Sequence, residues 1–439
     1  MNSSGTYTVK EVAAFLRITA QAVYNLIKRE EIAAFKVGSA VRILNADLDA
    51  YVERRKRLFA AQNASYEAPA EGSVAARRIC ARFPASGNDV PGFALDSVSF
   101  EIPAGSTLGI LGSSGSGKTL LLKALAGLVN LDAGAFFMGS RRLDLLASHE
   151  RRIGLVFQDY ALYPMLDGGG NIAFPLKAGH AAKETIDPAV ERIALELGIE
   201  PSYLPKRIAA LPEGIKQLVA IGRAENRPAG RQVELFLMDE PLVHLDARLR
   251  EETRAFLKRL VASFGATTIY AFNEAVDALA LSDRLLLMRD GAVVQFGPTA
   301  EVFSRPAAPD LMELLSLNGV SELSGVYADG EAEITGLGAV VPASLPADAP
   351  RGYRGRVRLL FRTEEVEPAS IGDPSALRAL IERSAPYGGE RVLASGPVVA
   401  FGASEPADDA PRVTFVAPEE TEGIAVFKPK GAMAYPFPS

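Results

Sequence analysis

The sequence has one cysteine, no recognisable secretory leader and no long apolar run, and each of these excludes a class of protein. The single thiol of Cys80 excludes an intrachain disulfide, forms no metal site alone and is typical of a reducing compartment. No segment approaches the roughly 18 apolar residues that a membrane-spanning helix needs. The start, MNSSGTYTVKEV, lacks a basic stretch followed by an apolar one. We therefore expect a cytoplasmic protein that meets any membrane through partners.

Length and charge indicate several domains with a basic N-terminal end. With 439 residues, of which 48% are hydrophobic and 23% charged, the chain has room for roughly two to four domains. The net charge of −6 is unevenly distributed, because residues 1–60 contain ten Lys and Arg against six Asp and Glu. We expect a small α-rich domain at 1–60, a linker at 61–73, an α/β domain with a largely parallel sheet at 74–318 and a small β-barrel at 319–439.

The N-terminal region has the pattern of two short helices followed by a hairpin. Thr8 and Glu11 have the spacing of a capping box, and Thr19 is placed to cap a second helix. The apolar residues at helical intervals are Val12, Phe15 and Leu16 in the first helix and Val23, Leu26 and Ile27 in the second. The segment FKVGSAVRIL alternates around a glycine like a wing. Together these features predict a winged helix-turn-helix.

On the segments YTVKEVAAFLRITAQAVYNLIKREEI and KVGSAVRI, this region resembles the excisionase-like DNA-binding domains related to the MerR group. The resemblance implies that the second helix enters the DNA major groove. The implied contacts are Gln21 and Asn25 to base edges, and Lys28, Arg29, Lys36 and Arg42 to phosphates. Glu30 and Glu31 stand beside these basic residues, and a charge of +4 gives only a modest, salt-sensitive affinity for DNA. A protein-interaction domain is the equally weighted alternative.

A glycine-rich loop stands between an apolar strand and a helix start in STLGILGSSGSGKTLLLKALAGL. Its residues are Gly112, Ser113, Ser114, Gly115, Ser116, Gly117, Lys118 and Thr119. This is a Walker A sequence, in which backbone N–H groups and the helix N-terminus hold phosphates, the lysine adds a charge and the threonine ligates Mg²⁺. We therefore predict an ATP site that uses Mg²⁺.

Two carboxylates, Asp239 and Glu240, follow the apolar run VELFLMDEP. Paired acids at the carboxyl end of a buried strand suit a metal-and-water site beside a phosphate loop. Alone, they would equally fit a strand end with solvated acids. The Walker A loop in the same chain favours the functional interpretation.

Residues 74–315 resemble the nucleotide-binding domain of ABC transporters, specifically the ATPases of maltose and sugar importers. The segments that carry the resemblance are VFQDYALYPMLDGGGNIAF, LFLMDEPLVHLDARLR and LALSDRLLLMRDGAVVQFGPTAEVFSRPA. The C-terminal segments RGRVRLLFRTEEVEP and VFKPKG resemble the OB-like, TOBE-type regulatory domain appended to these ATPases. The implied fold is a P-loop α/β domain flanked by the winged helix-turn-helix and an OB-like β-barrel.

The resemblance also implies roles for individual residues. Gln158 would reach Mg²⁺ and the attacking water, Asp239 would be the metal-binding carboxylate and Glu240 the general base. Tyr160–Pro164 would border the groove where a membrane subunit docks, and Leu245-Asp246 would belong to the D-loop. Phe83 falls about where these ATPases stack an aromatic ring on adenine, although an aromatic residue there is also a good core residue.

The signature segment departs from the family pattern of Leu-Ser-Gly-Gly-Gln. Its residues here are Leu211, Pro212, Glu213, Gly214 and Ile215. Pro212 removes a hydroxyl and an N–H, although proline fits the first turn of a helix. Glu213 places a carboxylate near the phosphate, and such a contact costs about 4 kcal/mol at 4 Å with an effective dielectric near 20. The alternative is that Glu213 turns toward solvent and only the backbone of Gly214 matters.

The switch position also departs from the family, because Asn273 stands where these ATPases have a histidine. The chain's histidines are His149, His180 and His244, and none follows the strand TTIYAF. An asparagine still forms a hydrogen bond to phosphate but offers no protonatable group. Loss of such a contact reduces the rate of hydrolysis more than it reduces binding.

These features together predict the ATP-binding subunit of an ABC importer, for a carbohydrate or polyol, at the cytoplasmic face of the cell membrane. The expected partners are two membrane-spanning subunits, an external solute-binding protein and a second ABC ATPase. A heterodimer is favoured over a homodimer, since a homodimer would contain two sites that each lack both the signature hydroxyl and the switch histidine. We expect weak hydrolysis by the chain alone. The alternative function is an ATP-gated, DNA-binding transcriptional regulator.

Overall fold

The computed structural model describes residues 5–28, 32–37, 40–52, 56, 66–82, 94–228, 232–243, 247–337, 339–369, 373, 375–386, 391–399, 405–407, 410–418 and 424–437. It contains two compact units, one formed by Met1–Glu101 with Lys123–Arg151 and the other by Ile102–Leu122 with Arg152–Ser439. Each unit combines segments from more than one expected domain, so the domain boundaries stay a prediction. Among the described residues, no helix has both the length and the apolar character needed to span a bilayer.

The N-terminal region forms the predicted helix-turn-helix with a wing. Its elements are β1 (Thr6–Thr8), α1 (Val9–Leu16), α2 (Ala20–Lys28), β2 (Phe35–Val37), β3 (Ala40–Leu44) and α3 (residues 45–52). The capping box is present, since the Thr8 N–H donates to Glu11 Oε2 at 2.7 Å and the Glu11 N–H donates to Thr8 Oγ1 at 3.2 Å. Thr19 Oγ1 accepts from the Ala22 N–H at 3.1 Å. Both predicted helix starts are confirmed.

The core of this region differs from the predicted core at one aromatic residue. Val12 and Val23 are buried, as their spacing predicts. Phe15 is 58% exposed, although its spacing places it with Val12. The sheet order β1-β3-β2 adds an antiparallel strand, β1, which the sequence pattern did not reveal.

The central region contains two sheets and their helices. In chain order its elements are β4 (Val74–Arg82), β5 (Ala94–Ile102), β6 (Thr107–Leu111), α4 (Lys118–Ala126), β7 (Ala133–Met138), β8 (Arg141–Arg142), β9 (Ile153–Val156), α5 (Gly168–Ala178), α6 (Lys183–Glu196), α7 (Glu213–Glu225), β10 (Leu235–Asp239), α8 (Ala247–Phe264), β11 (Thr267–Phe272), α9 (Ala275–Leu281), β12 (Arg284–Arg289), β13 (Ala292–Pro298), α10 (Thr299–Ser304) and α11 (Pro309–Leu315). The larger sheet has the order β13-β12-β6-β11-β10-β9.

The larger sheet is parallel except for β13, which confirms the predicted α/β domain. Strands β10 and β11 are buried along their whole lengths, because parallel strands are covered on both faces and therefore have continuous apolar sequences. The smaller sheet, with the order β5-β4-β7-β8, was not predicted. Its β4 and β7 pair antiparallel around an irregularity between Arg77 and Cys80.

The C-terminal region is β-rich, as predicted. Its strands are β14 (Val320–Ala328), β15 (Glu331–Ile334), β16 (Val340–Pro342), β17 (Gly355–Arg362), β18 (Val366–Pro368), β19 (Leu377–Leu380), β20 (Arg383–Pro386), β21 (Arg391–Pro397), β22 (Arg412–Pro418), β23 (Ile424–Pro429) and β24 (Met433–Pro436). They form sheets of the orders β16-β15-β14-β17-β24, β18-β23-β19 and β20-β21-β22. Arg362, which is buried, lies over the Phe303 ring at 3.8 Å, and the Tyr435 hydroxyl donates to the Pro306 carbonyl at 3.1 Å. These contacts fix the strands to the segment around α10.

A buried carboxyl at the end of α7 makes stability depend on pH. Burial, together with the charge of Glu196, raises the pKa of Glu225 to about 7, against a weaker opposing effect of Arg192. The Oε2 atom of Glu225 is buried and has no hydrogen-bond partner among the described residues. The folded state therefore binds this proton more tightly than the unfolded state, whose pKa is 4.5.

We expect Glu225→Gln to stabilise the protein at high pH and not at low pH. The stability that a protonated Glu225 contributes is fully present below about pH 4.5 and is lost as the pH rises through about 7. Glu225→Gln should therefore raise the free energy of unfolding at pH 8 by on the order of 2 kcal/mol or more, and by less than about 1 kcal/mol at pH 5. Urea unfolding at both pH values measures this, with Glu191→Gln on the exposed face of α6 as control. An equal change in the free energy of unfolding at both pH values would contradict the raised pKa of Glu225.

Candidate functional site

The glycine-rich loop connects β6 to α4 at the carboxyl end of the parallel sheet. Gly115 and Gly117 have φ values of +82° and +103°, which glycine adopts without steric cost. A Cβ on Gly112 would lie 2.4 Å from the Met288 carbonyl oxygen and 2.5 Å from Ser116 Oγ. Three glycines of the loop are therefore required by its backbone path.

The lysine of this loop folds back over the loop. Lys118 is 5% exposed, and its Nζ donates to the carbonyl oxygens of Gly112 at 2.8 Å and Ser113 at 3.0 Å. Burial lowers the pKa of Lys118, while the charges of Glu240 and Asp239 oppose that effect. A cation is thereby held among the loop's backbone groups, with two carboxylates near it.

Thr119 and Asp239 lie together, although 120 positions separate them in the sequence. Thr119 is the second residue of α4, and its Oγ1 donates to Asp239 Oδ1 at 3.1 Å. Asp239 ends β10 and is 4% exposed. A hydroxyl and a carboxylate at one point supply the oxygen ligands that Mg²⁺ prefers.

Glu240 follows Asp239 and is held in an unusual backbone conformation. Its φ is +47°, a region that costs a non-glycine residue about 1 kcal/mol or more. Its N–H donates to the Ala271 carbonyl at 3.0 Å, which extends the pairing of β10 with β11 by one residue. Asn273 Nδ2 donates to Glu240 Oε1 at 2.5 Å. The predicted general base and the predicted switch residue are therefore in direct contact.

The segment that carries Asn273 is fixed by a half-buried ion-pair network centred on one buried carboxylate. Asp277 in α9 is 2% exposed and accepts from Arg250 at 2.6 Å and from Arg254 at 2.8 Å, both on α8. Arg250 also donates to Glu274 Oε1 at 2.7 Å, next to Asn273. Sequence reasoning missed this network. Its one sequence signal is an acidic residue within the otherwise apolar helix AVDALAL.

Residues 211–215, the predicted degenerate signature, lie at the start of α7. Pro212 is the residue before the helix, makes no side-chain capping bond and is exposed. Glu213 is the first helical residue, and Gly214 and Ile215 complete the first turn. Glu213 Oε1 forms an ion pair with Lys216 Nζ at 2.6 Å, with the Glu213 side chain 47% exposed. The carboxylate thus has a cation of its own helix as partner.

The remaining predicted residues that the structure describes lie at exposed or half-buried positions. Gln158 is exposed in the turn that follows β9. On α2, Gln21 Nε2 donates to Asn25 Oδ1 at 3.4 Å, and both side chains are exposed. Lys36 is exposed on β2, and Arg42 is half-buried on β3. Positions outside the described residues are Phe83, Arg29, Leu245-Asp246 and the side chain of Lys28.

We expect Gly112→Ala to destabilise the protein, because the added methyl carbon would lie 2.4 Å from the Met288 carbonyl oxygen, and the backbone must shift to relieve that contact. The cost should be about 2 kcal/mol in the free energy of unfolding. Gly169→Ala in α5 is the matched control, since a Cβ there meets its nearest atom at 3.5 Å. That variant should be neutral or stabilise by up to about 1 kcal/mol through helix propensity. Equal unfolding midpoints for the two variants would contradict the loop geometry.

Comparisons with known proteins identify the family of the chain. Residues 95–243 match the ABC transporter family, and residues 6–56 match a helix-turn-helix domain family. The sn-glycerol-3-phosphate import ATP-binding protein of Paracoccus denitrificans is 36% identical over 298 residues, which cover 67% of this chain and 80% of that protein. The Fe(3+) ions import ATP-binding protein of Streptomyces avermitilis is 36% identical over 259 residues, which cover 59% and 72%. The chain therefore belongs to the ABC transporter family and carries its ATP-binding ATPase domain.

Proposed function

We propose that the chain is the ATP-binding subunit of an importer for a carbohydrate, a polyol or a related polar solute. The observation that carries this proposal is the convergence of Lys118, Asp239, Glu240 and Asn273 at one edge of the parallel sheet. The relatives' names support import, and sn-glycerol-3-phosphate is itself a phosphorylated polyol. The chain would lie peripherally on the cytoplasmic face of the cell membrane, below two membrane-spanning subunits. An external solute-binding protein would deliver the solute.

Nucleotide binding would use the loop and the residues beside it. The backbone N–H groups of Gly112–Thr119 and the start of α4 would hold the phosphates of ATP, with Lys118 exchanging its loop carbonyls for phosphate oxygens. Mg²⁺ would be held by Thr119 and Asp239, assisted by Gln158, and it would neutralise phosphate charge during transfer. Phe83 remains the candidate for stacking on adenine.

Hydrolysis would be slow because the residue that contacts Glu240 carries no protonatable group. One oxygen of Glu240 accepts from the Asn273 amide, and the other oxygen would accept the proton of the attacking water. Asn273 donates a hydrogen bond but cannot carry a proton, unlike the imidazole that regular family members have there. Asn273 therefore orients Glu240 without supplying a cation to the transition state.

The signature segment favours a heterodimer. Pro212 provides neither hydroxyl nor N–H to a partner's nucleotide, and the Glu213–Lys216 ion pair neutralises the carboxylate without replacing those groups. Two copies of this chain would form two sites with both defects. With a second, more regular ABC ATPase as partner, each site would have only one of these two defects. We therefore propose such a partner.

We expect the purified chain to bind ATP and hydrolyse it weakly, with turnover at least about 100-fold below the 10 s⁻¹ median of enzymes. Fluorescent ATP-analogue titration and phosphate release measure the two quantities. Asn273→His should raise turnover about tenfold or more, with ATP affinity changed less than about threefold. Lys177→Ala, on an exposed position of α5, is the control and should change neither quantity. Robust turnover by the unmodified chain that Glu240→Gln abolishes would contradict this proposal.

A second candidate function is an ATP-gated transcriptional regulator. The observation that favours it is the exposed pair Gln21 and Asn25 on one face of α2, within a region that matches a helix-turn-helix family. The alternative role of this region is docking on a protein. Co-purification with membrane subunits would support the importer, whereas sequence-selective DNA binding would support the regulator.

If the chain is a regulator, we expect the full chain to bind DNA in an electrophoretic mobility-shift experiment, with an affinity that depends strongly on salt. About four phosphate contacts would reduce the affinity on the order of 50-fold between 50 and 150 mM salt. Replacing Gln21 and Asn25 by alanine should remove sequence preference, worth about 1–3 kcal/mol per base contact. Lys10→Ala on α1 should leave sequence preference intact. Absence of any shift at low salt would exclude DNA binding and leave protein docking.

A further inference from the structure

The backbone of Glu240 is strained, and it lies directly before Pro241. The φ of Glu240 is +47°, whereas a residue before proline prefers an extended backbone. Such a conformation persists only where the surrounding structure holds it. On the N-terminal side, the Glu240 N–H donates to the Ala271 carbonyl at 3.0 Å and continues the pairing of β10 with β11. On the C-terminal side, the chain has left the sheet and other contacts must hold it.

Residues 240–243 form a β-turn after β10. The Val243 N–H donates to the Glu240 carbonyl at 3.3 Å, which leaves Pro241 as the first central residue of the turn. Leu242, the second central residue, is 1% exposed, and its side chain anchors the turn in the core. The orientation of the peptide between the two central residues distinguishes type I turns from type II turns, and type II requires a positive φ at the second one. Since Leu242 has no positive φ, the Pro241 carbonyl is oriented as in a type I turn.

A side chain of α7 donates to that carbonyl. Gln217, the fifth residue of α7, is 1% exposed, and its Nε2 donates to the Pro241 carbonyl oxygen at 2.6 Å. Because proline has no N–H, this carbonyl is the only main-chain hydrogen-bonding group of Pro241. Without a donor it would be a buried, unpaired acceptor, and the peptide would gain by rotating toward another donor. Leu242 therefore fixes where the turn lies, and Gln217 fixes the orientation of its central peptide.

The other half of the same amide indicates a role beyond packing. Gln217 Oε1 is buried and has no hydrogen-bond partner among the described residues. An unpaired buried acceptor lowers stability, and a methionine of the same length would fill the space without one. What the glutamine adds is its N–H donor, and that donor is bonded to the residue next to Glu240.

We propose that Gln217 is a positioning residue for Glu240. It holds the central peptide of the turn and thereby keeps Glu240 in the strained conformation in which its carboxylate contacts Asn273 and acts on the charge of Lys118. This inference rests on the proposed function, in which Glu240 accepts the proton of the attacking water. Without the donor, the backbone of Glu240 relaxes and its carboxylate moves. Misplacement of a general base reduces the rate of hydrolysis, while the glycine loop still holds the phosphates.

Two substitutions in the full chain test this proposal. Gln217→Met removes the donor at constant length. Gln217→Glu retains a donor only at low pH, because burial raises the pKa of the introduced carboxyl and its protonated form donates through an O–H. The matched control is Asn226→Leu, since Asn226 is 2% exposed and its Nδ2 donates to the Ile172 carbonyl at 2.8 Å. The control loses the same kind of bond about 14 Å further along the helix axis.

Single-turnover phosphate release with excess chain over MgATP measures hydrolysis, and titration with a fluorescent ATP analogue measures binding. Gln217→Met should slow hydrolysis about tenfold or more, with ATP affinity within about threefold. Gln217→Glu should hydrolyse within about threefold of the unmodified chain at about pH 6, and as slowly as Gln217→Met at about pH 8.5. Asn226→Leu should leave both quantities within about twofold.

Three results would each overturn the proposal. They are hydrolysis by Gln217→Met at the unmodified rate, an equal loss in Asn226→Leu, and a rate of Gln217→Glu that differs from the unmodified chain equally at both pH values. If Gln217→Met does not fold, the comparison of Gln217→Glu between the two pH values decides alone.

Hydrogen exchange without nucleotide tests the same contact independently of hydrolysis. The Val243 amide, which is bonded to the Glu240 carbonyl, should exchange about tenfold faster in Gln217→Met, while the amides of β10 stay within about twofold. An unchanged Val243 amide would overturn the proposal. If the unmodified chain hydrolyses no ATP, the proposed function fails, and this measurement still decides whether Gln217 holds the turn.

Discussion

The site depends on the register of the parallel strands. Asp239, the last residue of β10, pairs with Ala271 in β11, and Ala271 pairs with Ile110 in β6. These three parallel strands end within one residue of each other. The residues that follow them therefore lie at the same edge of the sheet. The glycine loop follows β6, Asn273 follows β11, and Asp239 is the last residue of β10 with Glu240 directly after it. A shift of one residue in this register would turn Asp239 to the other face.

The charges of Lys118, Asp239 and Glu240 determine which ligands this edge of the sheet can bind. Lys118 is buried, and burial favours the loss of its proton because a charged group is costly away from water. The negative charges of Asp239 and Glu240 oppose this effect. A triphosphate would bring several negative charges to the same place, which the loop's N–H groups and a metal ion would have to offset. The arrangement suits binding of an anion. In the proposed mechanism Glu240 is the general base, and the hydrogen bond from Asn273 occupies part of the acceptor capacity of one of its two oxygens.

Sequence reasoning identified residues whose roles are local or follow from motif spacing. The glycine loop, the acid pair and the capping bonds of Thr8 and Thr19 each depend on a few neighbouring residues, so a linear pattern reveals them. Gln217 was missed because its acceptor, the Pro241 carbonyl, lies 24 positions away, and no local pattern marks it. Phe15 was misplaced because helical spacing shows which residues share a face but not how wide the covered stripe is.

A residue that departs from a family motif can be interpreted only with its three-dimensional contacts, and Glu213 in the predicted signature is an example. In sequence, Glu213 is a carboxylate beside an expected phosphate, and the repulsion alone would cost about 4 kcal/mol unless the side chain turns toward solvent. In the structure, Lys216 stands one turn further on and pairs with it, so α7 begins with a nearly neutral turn. An exposed pair of this kind contributes little to stability and is easily exchanged for another partner. The lasting deficit is therefore the hydroxyl and N–H that Pro212 lacks, and in the proposed heterodimer a partner ATPase with a regular signature would supply those groups to the nucleotide that this chain holds.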